Sequence, residues 1–424
     1  MWLTRRSMRG LGKWLGIGLL IGLGVALAPV IRGHVALDGL GLTLSRATRA
    51  VKPDEADAQR FEGLDLTRID LHPRRVTAPL ANDHVAVLSL DPDLQRSALS
   101  VMKRYTLPEA GVVLSDVKTG QVLVYASYIN EGPTFDFNAR AEAPSASVFK
   151  MVTGAALVEM AGLNAETEQC YHGGKSFIAK DELIDDPAQD KWCATLGTAL
   201  GRSLNVVFGR LASKHLSVEQ LATMGGAFGF GAPVPFEAVN EAPKLALPET
   251  DPVEFARSAA GFWHSSLSPL AAAVMAQTVA NGGVTLQPTI IRETLDAEGN
   301  VVYRAPSDPR VLRRAIKPET ATQLTRMMVQ TTISGSGHKA FFDAKGGAFL
   351  PEIVVAGKTG TLTRHKENRH YTWFVGFAPA DAPEVAVSAL VVNTPIWRIK
   401  GPELARDVLR AYFAKKGRKG VTSP

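Results

Sequence analysis

The stretch EAPSASVFKMVTGAALVEMAGL, residues 142–163, decides how this chain is read. Proline biases the residue before it toward extended backbone, so Ala143-Pro144 predicts an extended approach. The apolar run Val148 to Leu163 then predicts a helix. Ser147 stands at the start of that helix and Lys150 in its first turn. A cation is awkward there, because a helix N-terminus already carries partial positive charge. Tolerating it makes sense if the lysine has work to do. The Ser-x-x-Lys spacing puts an amine one helical turn from a hydroxyl, on the same face. The helix start adds a backbone N–H and a positive dipole end for a developing oxyanion.

A serine hydrolase with a lysine base needs more than this pair. A second hydroxyl and an amide assist proton transfer and substrate binding, and a basic strand closes the cleft. Each motif is weak alone, because the chain repeats some of them. Ser100/Lys103 has the same spacing, but Leu94, Ala98, Val101, Met102 and Tyr105 mark the opposite face as buried. A mid-helix serine has no free N–H groups nearby, so a solvated face explains that pair. Lys118-Thr119-Gly120 lies between Val112–Leu114 and Val122–Tyr125 and reads as a hairpin tip. Lys358-Thr359-Gly360-Thr361 instead continues the apolar strand Ile353–Ala356. Gly357 and Gly360 there let another backbone approach closely. Ser203-Leu204-Asn205 supplies the hydroxyl and the amide.

Outward from these motifs, Val85–Leu90 reads as a strand and Asp91-Pro92 as a helix start. Several helices follow between about 147 and 281. Ser217 with Gln220 forms a capping box, and Gly225-Gly226 is expected to end that helix. Ser268-Pro269 opens another helix and Asn281-Gly282-Gly283 closes it. Strands return at Ile353–Ala356, Tyr371–Phe377 and Val385–Val392, and a last helix begins at Pro402. The order predicts an α+β fold: a mostly antiparallel sheet packed by helices, with an inserted all-helical lobe.

Ser147-Val148-Phe149-Lys150, Ser203-Leu204-Asn205 and Lys358-Thr359-Gly360-Thr361 together resemble the penicillin-binding protein transpeptidases and their serine β-lactamase relatives. Leu90-Asp91-Pro92-Asp93-Leu94-Gln95 and the segment Ser268–Gly283 add to the resemblance, which covers roughly residues 85–415. It implies that Ser147 is the acylated nucleophile and Lys150, neutral and desolvated, its general base. It implies that Ser203 relays a proton to the leaving amine and that Asn205 holds the substrate amide. Lys358, Thr359 and Thr361 would meet the substrate carboxylate, with Gly360 keeping the strand close. The N–H groups of Ser147 and Thr361 would form the oxyanion hole. The implied substrate is the D-Ala-D-Ala end of a peptidoglycan stem peptide, with β-lactam antibiotics as inhibitors. No metal or organic cofactor is implied.

Within that resemblance a D,D-carboxypeptidase is the near alternative. A β-lactamase needs a glutamate to activate water, and Glu237 and Asn240 do not match that loop's spacing. A non-catalytic scaffold is disfavoured by the intact motifs. A membrane-anchored sensor would need a signalling domain before the span.

The 424 residues are 46% hydrophobic and 21% charged, enough for a large core and unlike a disordered chain. The net charge is +6, from 47 Lys+Arg against 41 Asp+Glu, without a basic stripe interleaved with aromatics. Nucleic acid is therefore not an expected partner. Trp14 to Ile31 is an 18-residue uncharged apolar run, about the minimum for a core of roughly 30 Å. Arg5, Arg6, Arg9 and Lys13 precede it and put this end in the cytoplasm. Pro29 after Ala26-Leu27-Ala28 favours an uncleaved anchor over a cleaved signal peptide. The expected layout is a cytoplasmic basic tail (1–13), a transmembrane signal-anchor (14–31), a stalk or small pedestal (32–84), a transpeptidase domain (85–415) on the extracytoplasmic side, and a basic tail (416–424) expected to fray. About 50 residues between span and domain are too few for a glycosyltransferase, so a separate membrane glycan polymerase is a candidate partner.

Cys170 and Cys193 enclose 22 residues and are read as a disulfide or as two buried thiols. The acidic residues Asp181, Glu182, Asp185, Asp186 and Asp190 between them suggest a solvated loop more than a calcium site. His365–His370 lacks the His-Glu-x-x-His spacing of a metal motif and reads as a polar hairpin tip. Trp263 and Trp373 are read as core or rim residues near the cleft.

Overall fold

The structure is a computed structural model that describes residues 60–424 except 175 and 176. The expected basic tail, the span 14–31 and most of the stalk lie outside the described residues. Among the described residues no helix is long and apolar enough to cross a membrane.

Alternating apolar residues build the central sheet. Its five antiparallel strands lie in the order Ala356–Arg364, Arg369–Ala378, Val385–Asn393, Glu109–Asp116 and Val122–Ile129. The late strand Val385–Asn393 pairs with the early strand Glu109–Asp116, with Val387 opposite Leu114. Side chains alternate between the two faces, as period 2 requires. Trp373, Val375 and Phe377 join one core cluster with the helices Lys150–Glu159 and Pro269–Ala280. Phe374, Val387, Ala389 and Val391 join another with the helices Pro92–Arg104 and Gly401–Lys415. Each fully buried Phe of this kind contributes about 1.5–3 kcal/mol, so both faces are firmly held.

The helix start at Asp91-Pro92 is as expected: Asp91 accepts N–H bonds from Asp93 and Leu94. Ser100 and Lys103 lie on its exposed side. The capping box of Ser217 and Gln220 is present, but the helix runs through Gly225-Gly226 to Ala227. Gly225 sits under Leu245, where a Cβ would come within 2.5 Å of Leu245 Cδ2. Helix packing, not termination, explains that glycine.

Residues 60–84 do not stand apart as a separate body. The strands Asp70–Leu71 and Val76–Pro79 join Val85–Leu88, Ile291–Leu295 and Val301–Arg304 in a second five-stranded sheet. Phe61, Leu66 and Val76 share a core with Val113, Tyr125 and Leu270 of the main body. The basic end also folds back instead of fraying. Arg418 pairs with Glu384, Arg410 donates to Thr422 Oγ1 at 2.9 Å, and Lys415 bridges Asp91 and Asp93 at the first helix start.

Candidate active site

Three chain segments meet beside the edge strand Ala356–Arg364. In the first, Ala143–Pro144 is a short strand paired with Ser265–Leu267. The single 3-10 turn Ala146–Phe149 follows, and the α-helix begins at Lys150. Ser147 thus sits in a tight turn just ahead of the helix instead of at its first residue. The cause is Ala146, held at φ 49°. A non-glycine residue there is strained and persists only when its surroundings over-determine it. They do. Gly261, at φ 89°, lies so close that a Cβ would fall 2.2 Å from the Ala146 carbonyl oxygen. The buried Trp373 donates Nε1–H to Pro144 O at 2.9 Å, and the Ser145 and Ser265 hydroxyls are bonded to each other. Trp373 is therefore a core residue that fixes the turn carrying Ser147.

In the second segment, Ser203 ends the helix Leu196–Arg202 in the left-handed conformation, φ 61°. Asn205 is the first residue of the next helix, Asn205–His215. The third segment is the strand itself. Lys358 and Thr359 are buried and Thr361 is exposed. A Cβ on Gly360 would lie 3.2 Å from Val148 Cγ2 and 3.3 Å from Ala146 Cβ, so any side chain here would crowd the turn.

Lys150 is fully buried. Its Nζ lies 2.9 Å from Ser147 Oγ, 2.7 Å from Asn205 Oδ1 and 2.6 Å from Ala260 O. A neutral amine has two N–H donors and one lone pair. The amide and carbonyl oxygens take the two donors, which leaves the lone pair for the Ser147 hydroxyl proton. Burial, and secondarily the charge of Lys358, hold Lys150 well below the usual lysine range. Lys358 donates to Ser203 Oγ at 2.9 Å and Thr359 O at 2.8 Å, and burial lowers its pKa to about 7. Ser147, Lys150, Ser203, Asn205 and Lys358 are thus brought into two linked clusters.

Sequence reading missed Ser336, whose Oγ is 2.5 Å from Thr359 Oγ1. No local pattern marks this contact: the Ser-x-x-Lys spacing from Ser336 leads to Lys339, which is exposed and takes no part in it.

Cys170 and Cys193 form a disulfide across the paired strands Glu168–Tyr171 and Trp192–Thr195. The acidic loop they enclose is largely exposed, as expected for a solvated loop, with Asp181 and Asp185 at the surface, but part of it is tied to a buried arginine. Arg210, fully buried on the Asn205 helix, binds Asp190 at 2.8 and 3.0 Å, Asp185 at 3.1 Å and the Cys170 carbonyl at 3.0 Å. These bonds hold the Asp190 carboxyl well below the usual range. Glu182 accepts the N–H groups of Gly174 and Ala179. The grouping of metal-ligand atoms found among the described residues is Glu168 with the two bonded cysteines.

His365–Glu367 forms the tip between two sheet strands, as expected. Trp263 is a half-exposed residue at φ 44°, two positions past Gly261. Glu237 accepts the Ile290 N–H and lines a separate groove, and Asn240 closes the turn 234–240.

A family model described as the penicillin binding protein transpeptidase domain matches residues 110–412. Peptidoglycan D,D-transpeptidase PbpA of Mycobacterium tuberculosis (strain ATCC 25618 / H37Rv) is 30% identical over 263 residues, covering 59% of this chain and 50% of that protein. The chain spans about half the length of the curated relatives it matches first. The D,D-transpeptidase domain of a peptidoglycan glycosyltransferase from Eggerthella lenta superposes with a TM-score of 0.63 at 24% identity, over 78% of this chain and 83% of that one. Penicillin-binding protein A of M. tuberculosis, as a penicillin G acyl-enzyme complex, gives 0.60 at 23% identity, over 78% and 80%.

Proposed function

The chain belongs to the penicillin-binding protein transpeptidase family, and from that premise we propose that it is a peptidoglycan D,D-transpeptidase working through a Ser147 acyl-enzyme. One observation carries the reading: Ser147, Lys150 and Asn205 are joined through a buried amine whose lone pair is left for the serine proton.

Lys150 takes the Ser147 proton as Oγ attacks the penultimate D-Ala carbonyl. The oxyanion meets the N–H groups of Ser147 and Thr361. Asn205 orients the substrate amide while fixing Lys150. Ser203, bonded to Lys358, delivers a proton to the departing D-Ala amine. Lys358 and Thr361 hold the terminal carboxylate, with Thr359 behind them on the strand. A stem-peptide amine then enters, gives its proton back to Ser203 and takes the acyl group, while Lys150 returns its proton to the released Ser147 Oγ. β-lactams present a similar carbonyl and carboxylate and are proposed to acylate Ser147.

The segment 14–31 is proposed to anchor the chain in the cytoplasmic membrane as a single span, with the catalytic domain outside the cytoplasm. A separate membrane glycan polymerase is the proposed partner. The test is a D-Ala-D-Ala-mimicking thioester offered with and without a D-amino acid amine. Transfer to the amine that outruns hydrolysis supports the transpeptidase; hydrolysis indifferent to the amine supports the carboxypeptidase. Loss of both in Ser147→Ala ties either outcome to the nucleophile.

A further inference from the structure

We propose that Ser336 is a hydroxyl donor to the substrate carboxylate, acting in series with Thr359; the proposal rests on Ser147 being the acylated nucleophile. Ser336 lies in the turn between the helices Pro318–Ile333 and His338–Phe341, and it is exposed. Its backbone N–H donates to Gly201 O at 2.9 Å, two residues before Ser203. Its Oγ lies 3.1 Å from the same carbonyl and 2.5 Å from Thr359 Oγ1. The turn therefore ties the Ser203 segment to the Lys358 strand.

The proton count decides what each hydroxyl can offer. A hydroxyl has one proton and two lone pairs. With the Ser336 proton on Gly201 O, the short contact to Thr359 is one in which Thr359 donates. Thr359 is buried, at 8% exposure, and that bond engages its only proton. The Ser336 proton is differently placed. Gly201 O keeps the Ser336 N–H when the hydroxyl turns away, so turning leaves no buried acceptor orphaned. A carboxylate only accepts, and a charge-assisted bond to it is stronger than a neutral one. An arriving carboxylate draws the proton outward. The chain becomes Thr359 O–H to Ser336 Oγ, and Ser336 O–H to the carboxylate. Thr361, exposed on the same strand, meets the ligand beside it.

The test is the second-order rate of Ser147 acylation, followed by intact mass, for benzylpenicillin and for its carboxyl methyl ester. Both probes are used on the wild type, Ser336→Ala and Ser336→Thr, with thermal melting as the folding control. The expected result is about a tenfold loss for the acid in Ser336→Ala. The ester rate should stay near wild type, and Ser336→Thr should recover the acid rate. Equal losses for acid and ester, or none, would overturn the proposal while leaving Ser147 as the nucleophile. No Ser147 adduct from either probe on folded wild type would overturn both readings.

Discussion

The molecule buries cations in two neighbouring regions and treats them in opposite ways. Arg210 meets Asp190, Asp185 and a carbonyl oxygen. Lys150 and Lys358 are as deeply buried, yet among the described residues neither forms a salt bridge with a carboxylate; their partners are hydroxyl, amide and carbonyl oxygens. A buried charge is costly unless paired, or else the group neutralises. Arg210 is paired with carboxylates and holds a loop in place. The lysines lose affinity for their protons, which is what a base near neutral pH needs. The two regions share a helix: Asn205 at its start serves Lys150, and Arg210 one turn further on anchors the disulfide loop.

The largest expected effect breaks the catalytic half alone. Lys150→Ala should cut Ser147 acylation by at least 10³-fold on the order expected for losing a base and positioner. Melting should show the protein still folded, since the substitution breaks no salt bridge of the amine. Unfolding of this variant would mean that the lysine is structural after all. Next, Lys358→Met should slow acylation by a carboxylate-bearing β-lactam about 10–100-fold, as for a lost hydrogen bond to a charge. It should also remove a pH signature. Lys358 titrates at about 7 when folded against 10.5 in its reference state. Between those values the unfolded chain binds more protons, so this lysine makes stability rise with pH. The melting curves of Lys358→Met should lose that rise, and curves parallel to wild type would contradict the assignment.

Arg210→Ala should do the reverse of Lys150→Ala. It leaves carboxylates facing an emptied site, so melting should fall on the order of 5–10 °C. The fraction still folded should keep acylating within about threefold of wild type. A large rate loss in folded protein would show that the loop positions Asn205 as well. Smallest in activity, replacing both Cys170 and Cys193 by Ala should cost on the order of 3 kcal/mol by denaturant titration, with acylation nearly unchanged.

The half around Ser147 and the two buried lysines was the legible half. Ser147, Lys150, Ser203, Asn205 and Lys358 are short-range patterns, and order along the chain separated them from Ser100/Lys103 and Lys118–Gly120. Most sheet strands and the capped helix starts were readable for the same reason: Asp91-Pro92 and Ser217–Gln220 carry their signals within four residues, whereas the strand expected at Ile353–Ala356 begins only at Ala356. What was not legible is long-range. Nothing near Arg210 announces that Asp190 and Asp185 of the exposed acidic loop fold onto it. Ser336 is joined to Thr359 only by the fold. The strain at Ala146 depends on Gly261, more than a hundred residues away. Gly225-Gly226 resembles a helix stop until Leu245 is seen packed on it.

Burial lowers the proton affinity of Lys150, and a lysine left neutral in this way fixes how Ser147 acylation should depend on pH. Benzylpenicillin adduct formation would be timed by intact mass from about pH 6 to pH 10 on wild type. The account predicts no rise above neutral pH, and a decline there as Lys358 loses its charge through about 7. A rate that climbs about tenfold per pH unit up to pH 10 would mean a lysine with its ordinary pKa, and would contradict it.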